Sequence, residues 1–193
     1  MGELKSAYEI AMERAKRLGE ASQEEVKKGD FVPQGARLAA RYLRGECNLI
    51  AELSKYDEEA RGYVAEGAKG ILLRNIDLPR NDFAKELNRS VMEGIKALKA
   101  DKGGVENVYS KIRRLFKHYE QEGEQKRSQA YEMLKREFQR DLQQAAQQRG
   151  SSIRVEVERQ PQFQEQWRRT LAQLDSQYQR ALEECKQELE GIP

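Results

Sequence analysis

Two long runs of this sequence carry apolar residues at every third or fourth position, over residues 105–148 and 163–189. That spacing matches the 3.6-residue period of an amphipathic α-helix. A helix of about 44 residues would rise about 65 Å, roughly twice the diameter of a small domain. The two runs therefore predict a long antiparallel helical hairpin, part of which projects from a globular core or pairs with a partner.

The second helix of the predicted hairpin carries two apolar series with seven-residue spacing. Their members are, in chain order, Trp167, Leu171, Leu174, Tyr178, Ala181 and Cys185. Together the series resemble the a and d positions of a coiled coil. We predict a partner interface along this seam and the facing helix, made of Phe138, Leu142, Phe163, Trp167, Leu171, Leu174 and Tyr178.

The apolar stripe on the first helix of the hairpin lapses over residues 120–129. Gly123 and Lys126 occupy positions there that the helical period assigns to apolar side chains. The stripe resumes with Ala130 and Leu134. The helix is nevertheless predicted to continue through the lapse to residue 148.

The connection between the two long helices, residues 149–161, has turn and strand character. Ile153, Val155 and Val157 alternate with charged residues, which is the period of a β-strand. A lone strand must pair with an edge or lie extended across a helix. We expect an extended tip over residues 150–161, either as an ordered loop or as a strand paired with a second copy.

The N-terminal half shows shorter helical patterns separated by glycine and proline. Helices are predicted over residues 3–18, 23–28, 34–44, 46–73 and 81–100. Gly45 and the loop at residues 75–79 mark two of the breaks. Gly62, Gly67 and Gly70 fall inside one of these patterns, and they indicate a close helix–helix approach, a kink or an early end.

The clearest break in the chain is Asp101-Lys102-Gly103-Gly104. We place a domain boundary there. The sequence thus predicts an all-α protein, with a small helical bundle over residues 1–100 and the long hairpin over residues 101–193.

Composition and charge limit the classes of function. Charged residues make up 35% of the chain and aromatic residues 7%, as in elongated helices with a large solvated surface. The net charge of +2 gives no positive argument for nucleic-acid binding. No apolar stretch approaches the ~18–20 residues that span a bilayer, and the N-terminus lacks the apolar core of a signal peptide. We expect a soluble cytoplasmic protein with no membrane association.

Residues suited to catalysis or metal binding are scarce. His118 is the single histidine, whereas a metal site needs at least three convergent ligands. Cys47 and Cys185 lie far apart without a CxxC spacing, so we expect no disulfide and a buried thiol at Cys185. No phosphate loop, nucleophile elbow or dinucleotide fingerprint is present. We predict no enzymatic activity, no cofactor and no metal.

One local cluster of cations suggests an alternative function. The cluster lies near Tyr109 and Tyr119, and its members are Lys111, Arg113, Arg114 and Lys117. Four cations without an acid could contact nucleic-acid phosphates. A hairpin would also bring the acidic residues of the 183–190 segment back towards them, so intrachain pairing explains the cluster without a ligand.

Two stretches resemble a family of small, helical, uncharacterised bacterial proteins. Residues 2–14 resemble the opening of that family, and the turn at residues 150–152 with Val155 and Trp167 resembles its hairpin junction. Charged residues at positions 154, 156 and 158 depart from the small, proline-containing tip of the family. The resemblance implies a bacterial cytosolic protein and assigns no activity.

The leading interpretation is a structural or adaptor protein without catalysis. It would act through its hairpin seam, either as a homo-oligomer or by binding a helical partner protein. Nucleic-acid binding through the cation cluster is the alternative.

Overall fold

The protein is all-α, which confirms the predicted fold class. This computed structural model describes residues 7–148 and 156–193, without the side chains of residues 7–11, 13–22 and 148. The described chain contains seven α-helices and no strand. It forms two compact units, one of residues 7–76 with 89–100 and the other of residues 77–88 with 101–193.

The first helix, α1 (Ala7–Leu43), is a single helix of 37 residues. The prediction of three shorter helices in this region is therefore wrong. Pro33 lies inside α1 and removes the hydrogen bond to the carbonyl of Gly29. Both residues are exposed, so water can reach that carbonyl and the helix continues. The predicted apolar face over residues 4–18 lies outside the described side chains.

Two helices, α2 (Leu49–Leu53) and α3 (Glu58–Arg74), replace the single helix predicted over residues 46–73. Asn48 and Asp57 each accept a hydrogen bond from the backbone N–H three residues further on, at 3.0 and 2.8 Å. An N-cap of this kind satisfies an N–H that has no partner within the helix. The two caps therefore define two separate helix starts.

In the first unit, α1 and α3 touch backbone to backbone. A Cβ atom on Gly35 would lie 1.9 Å from the carbonyl oxygen of Val64. A Cβ atom on Gly67 would lie 2.0 Å from the carbonyl oxygen of Val32. Only glycine permits such a crossing, because any side chain would push the helices apart. Of the three explanations for the glycines of this region, close approach is the correct one for Gly67.

The fourth helix, α4 (Asp82–Leu98), contributes to both units, with residues 82–88 in the second and 89–98 in the first. Val91 and Ile95 are fully buried, as their position on the predicted apolar face requires. Phe83 departs from that prediction and is 77% exposed. It lies in the first turn of α4, among the residues that belong to the second unit.

The second unit contains a long helical run and one long helix. The run consists of α5 (Lys102–His118), a π-helical segment (Tyr119–Gly123) and α6 (Glu124–Gln148). The last helix, α7 (Pro161–Gly191), packs antiparallel to this run. Lys111 lies 2.6 Å from Glu188 near one end, and the rings of Phe138 and Phe163 are 5.5 Å apart near the other.

The predicted extended tip is only partly described. Ile153 and Val155 lie outside the described residues. Val157–Arg159 forms one 3₁₀ turn instead of a strand, and the Val157 side chain is buried. Pro161 then begins α7, where its missing N–H costs nothing, so residue 161 is helical rather than extended.

We expect Gly35→Ala and Gly67→Ala to destabilise the protein by about 1–3 kcal/mol or more, because each added Cβ would collide with a backbone carbonyl. Gly62→Ala is the matched control, since no atom lies within 4 Å of its Cβ position. That change should stabilise α3 by up to about 1 kcal/mol. Urea unfolding followed by circular dichroism measures all three. Equal midpoints for Gly35→Ala and the unchanged protein would refute the backbone contact.

Candidate partner-binding site

Four aromatic rings join α6 to α7 near the tip of the hairpin. Tyr131 packs edge-on against Phe163 and Trp167, with ring centres 5.6 and 5.1 Å apart. Phe138 also packs edge-on against Phe163. Phe163 is only 2% exposed, so this member of the predicted partner interface already uses its surface within the chain. We call these four residues the aromatic cluster.

The other residues of the predicted interface are only half-buried. They are Phe138, Leu142, Trp167, Leu171, Leu174 and Tyr178. Among the described side chains of α6, none is fully buried, and Ala130, Tyr131 and Leu134 are half-buried as well. Two paired helices can cover only one side of an amphipathic stripe. The stripe along α6 and the first half of α7 therefore keeps an open edge.

The π-helical segment, which directly precedes α6, places an arginine in the interior of the hairpin. A π-turn holds one residue more than an α-turn and shifts the face of the helix that follows. After the segment, Arg127 and Tyr131 face inward, whereas Lys126 points to solvent. Gly123 fits beneath α7 because a Cβ atom there would lie 3.1 Å from the hydroxyl of Tyr178.

Arg127 meets a buried carboxylate on α7. Its Nη1 atom lies 3.7 Å from Oδ1 of Asp175, and the two side chains are 11% and 7% exposed. Neither of these two atoms makes a hydrogen bond within the described chain. The Arg127 guanidinium also lies 4.0 Å from the ring centre of Tyr119 and donates to the Tyr119 carbonyl oxygen at 3.1 Å.

The second carboxylate oxygen of Asp175 has two donors. The Tyr119 hydroxyl donates to it at 3.2 Å, and Nε of Arg80 donates at 3.3 Å. Burial, and then the charge of Asp175, raise the pKa of Tyr119, which keeps its hydroxyl protonated as a donor. We call Arg80, Tyr119, Arg127 and Asp175 the polar cluster.

A loop from residue 77 to 81 is attached to α7 beside the polar cluster. Gln179 donates a hydrogen bond to Oδ1 of Asp77 at 3.0 Å, and Arg80 pairs with Oδ2 at 2.8 Å. The Asp77 side chain is 52% exposed, and its partial burial would raise its pKa. Hydrogen bonds from Gln179 and from the Leu78 N–H, together with the charge of Arg80, outweigh burial and lower that pKa. The fold therefore favours the ionised carboxylate.

Sequence reasoning missed the polar cluster. Arg127 and Asp175 are charged, and charged residues are almost never fully buried unless paired. The available signal was the lapse of the apolar stripe over residues 120–129, which coincides with the π-helical segment and Arg127. The spacing of the apolar residues showed that the stripe was interrupted, but it could not show which polar side chain points into the hairpin.

The predicted cation cluster is partly neutralised. Lys111 pairs with Glu188, as expected from a hairpin, and Arg113 pairs with Glu106. Arg114 donates to the backbone of its own helix at 3.3 Å. For Lys117, no carboxylate partner occurs among the described residues. Tyr109 and Tyr119, which neighbour the cluster in sequence, are both buried and cannot stack on bases.

The remaining candidates for catalysis or metal binding are His118 and the two cysteines. Nδ1 of His118 shares a hydrogen bond with the Tyr178 hydroxyl at 2.9 Å. Both cysteines are free, and Cys185 is buried as predicted. Within residues 7–148 and 156–193, no three His, Cys, Asp or Glu side chains converge as metal ligands.

No helix of the described chain has the length and apolar character needed to cross a membrane.

Comparison with known protein families assigns the chain to a family. A model described as a family of unknown function (DUF6657) matches residues 50–191, which is most of the chain, so the protein belongs to that family. The match includes the hairpin junction but not residues 2–14, where the resemblance at the N-terminus lies. No curated protein and no solved structure matches the chain significantly.

We expect Asp175→Ala to destabilise the protein by about 3–5 kcal/mol, because Arg127 would remain buried without its counter-charge. Replacing the cluster with apolar side chains of similar volume, by Tyr119→Phe, Arg127→Met and Asp175→Leu together, should cost much less or even stabilise. Urea unfolding measures both. A loss below about 1 kcal/mol in Asp175→Ala would show that the ion pair is not buried.

The lowered pKa of Asp77 predicts an acid-dependent loss of stability. Its contribution is fully present above about pH 4, where the unfolded chain also ionises, and it is lost as the pH falls through the lower folded pKa. Asp77→Asn should flatten this acid decline in urea unfolding measured from pH 7 to pH 2. Asp141→Asn, a change at an exposed carboxylate of α6, should keep the original slope. An unchanged slope in Asp77→Asn would contradict the role of this group.

Proposed function

We propose that this member of the DUF6657 family is a structural or adaptor protein without catalysis, acting through helix–helix association of its hairpin. The partner is a second copy of the chain or another helical protein. The observation that carries the proposal is the half-open apolar stripe along α6 and the first half of α7. A further helix laid along that stripe would complete its burial.

Energetics are consistent with association. Full burial of a large apolar side chain contributes about 1.5–3 kcal/mol, so a half-buried one retains roughly 1 kcal/mol to gain. Burial of six such side chains, with an equal contribution from the partner, would supply a free energy comparable to the about 8 kcal/mol of a micromolar complex. This remains so after part of that free energy is lost to ordering the interface side chains. Trp167 is the strongest candidate for an interface anchor, because tryptophan is enriched among residues that dominate binding energy.

The proposal includes a bacterial cytoplasmic setting. Two free cysteines in a chain without a disulfide suit a reducing compartment. The bacterial origin is suggested by the resemblance of residues 2–14 to small bacterial proteins.

Nucleic-acid binding by Lys111, Arg113, Arg114 and Lys117 has less support. Two of the four cations already have carboxylate partners. Phosphate contacts would make affinity fall steeply with salt, whereas burial of the apolar stripe would not. Salt titration of binding to a DNA or RNA duplex distinguishes the two functions.

A pair of adjacent substitutions tests the proposal. Leu171 is half-buried on the stripe, whereas Ala172 is exposed beside it. Leu171→Glu should raise the dissociation constant of the self-complex or partner complex by at least about tenfold, since a charge would have to be buried. Ala172→Glu should leave it within about twofold. Light scattering over a range of concentrations gives the solution mass.

If the chain is monomeric, retention of a partner on the immobilised protein replaces the mass measurement. The partner is then identified, purified and recombined with each variant. Circular dichroism checks that both variants remain folded. Equal association by folded Leu171→Glu and by the unchanged chain would refute the stripe as the binding surface.

A further inference from the structure

An open groove runs between α5 and α7 in the second unit. It consists of two adjoining clefts, of about 530 and 460 Å³, which share Leu115. Five apolar or aromatic side chains line it: Leu115, Leu174, Tyr178, Ala181 and Cys185. Polar side chains complete the larger cleft: His118, Lys126, Thr170, Gln173 and Gln177. A groove between two helices is a common receptor for a further amphipathic helix.

The two walls of the groove carry opposite charge at one end. Lys111 and Arg114 line the α5 side, and Glu184 and Glu188 line the α7 side. Lys111 and Glu188 pair across the groove at 2.6 Å. Arg114 and Glu184 differ from them, because neither has an oppositely charged partner among the residues the structure describes. One free cation and one free anion thus remain on facing walls.

We propose that a second copy of this chain docks on the groove about a two-fold axis parallel to the helices, an inference that rests on the proposed function. A rotation about that axis places the α5 wall of one copy against the α7 wall of the other. Opposite charges then meet at the same height, and Arg114 of each copy faces Glu184 of its partner. A two-fold axis perpendicular to the helices would instead place α5 against α5.

This pairing uses the groove fully. Leu174 and Tyr178 belong both to the groove and to the predicted seam, so the four-helix contact buries apolar surface continuous with the half-open stripe. The charged walls form its rim. Rim charges contribute little affinity but select the orientation of docking, because like charges brought together are unfavourable.

Charge exchange between copies tests the inference. Arg114→Glu and Glu184→Arg each create two like-charged contacts per dimer, so each variant alone should dissociate at least about tenfold more readily. An equimolar mixture should restore dimers close to the original affinity, since every contact in the mixed dimer again joins opposite charges. Sedimentation velocity, with one variant fluorescently labelled, measures the mixed species directly.

Arg113→Glu is the matched control. Arg113 is adjacent in sequence, pairs with Glu106 on its own helix and does not line the groove. This variant should dimerise like the unchanged chain, and its circular dichroism should match.

The outcomes separate the inference from the proposed function. A monomeric unchanged chain, or a mixture as dissociated as its two components, overturns docking of a second copy on the groove. If Leu171→Glu still abolishes association or partner retention in that case, the proposed function stands and another helix occupies the stripe. If neither Leu171→Glu nor the charge variants change association, both proposals fail.

Discussion

The buried ion pair between Arg127 and Asp175 lies at the centre of the contact between the helical run and α7. Two charges removed from water are unfavourable unless they face each other, so the pair favours the alignment of the two helices in which the charges meet. The π-helical segment supplies the turn that points Arg127 inward, and Tyr119 and Arg80 satisfy the remaining oxygen of Asp175. Sliding by one turn would separate the two charges and leave each buried without its partner, which is unfavourable.

Burial is distributed unequally along the hairpin. Near α5 and the second half of α7, large side chains such as Ile112, Leu182 and Leu189 are completely inaccessible. Past the polar cluster, the aromatic cluster provides the main contact and much of the apolar stripe remains open. The same pair of helices therefore combines a base that has a fully buried core beside an open groove with an arm whose apolar stripe is only half-covered.

The sequence predicted the elements whose signal is periodic. The all-α class and the long helices of the hairpin followed from spacing alone. The errors arose where local chemistry overrode the pattern: exposed Pro33 was absorbed into α1, and the caps at Asn48 and Asp57 divided one predicted helix into two. Arg127 and Asp175 could not be predicted as interior residues, because their burial depends on partners that are 48 positions apart in the chain and meet only in the folded hairpin. The groove likewise arises from the pairing of α5 with α7.

The extra residue of the π-helical segment has a consequence for how such a chain tolerates change in length. Successive residues of an α-helix are about 100° apart around its axis. Loss of one residue between Tyr119 and Gly123 would convert the segment to ordinary α-helix, which holds one residue fewer in the same turn. The residues after the segment would keep their present orientation, so Tyr131 and Phe138 would still face α7. In a helix without a π-turn, the same loss would rotate everything after it by that angle. The segment is therefore a point at which this fold can lose one residue without reorienting the 25 residues of α6.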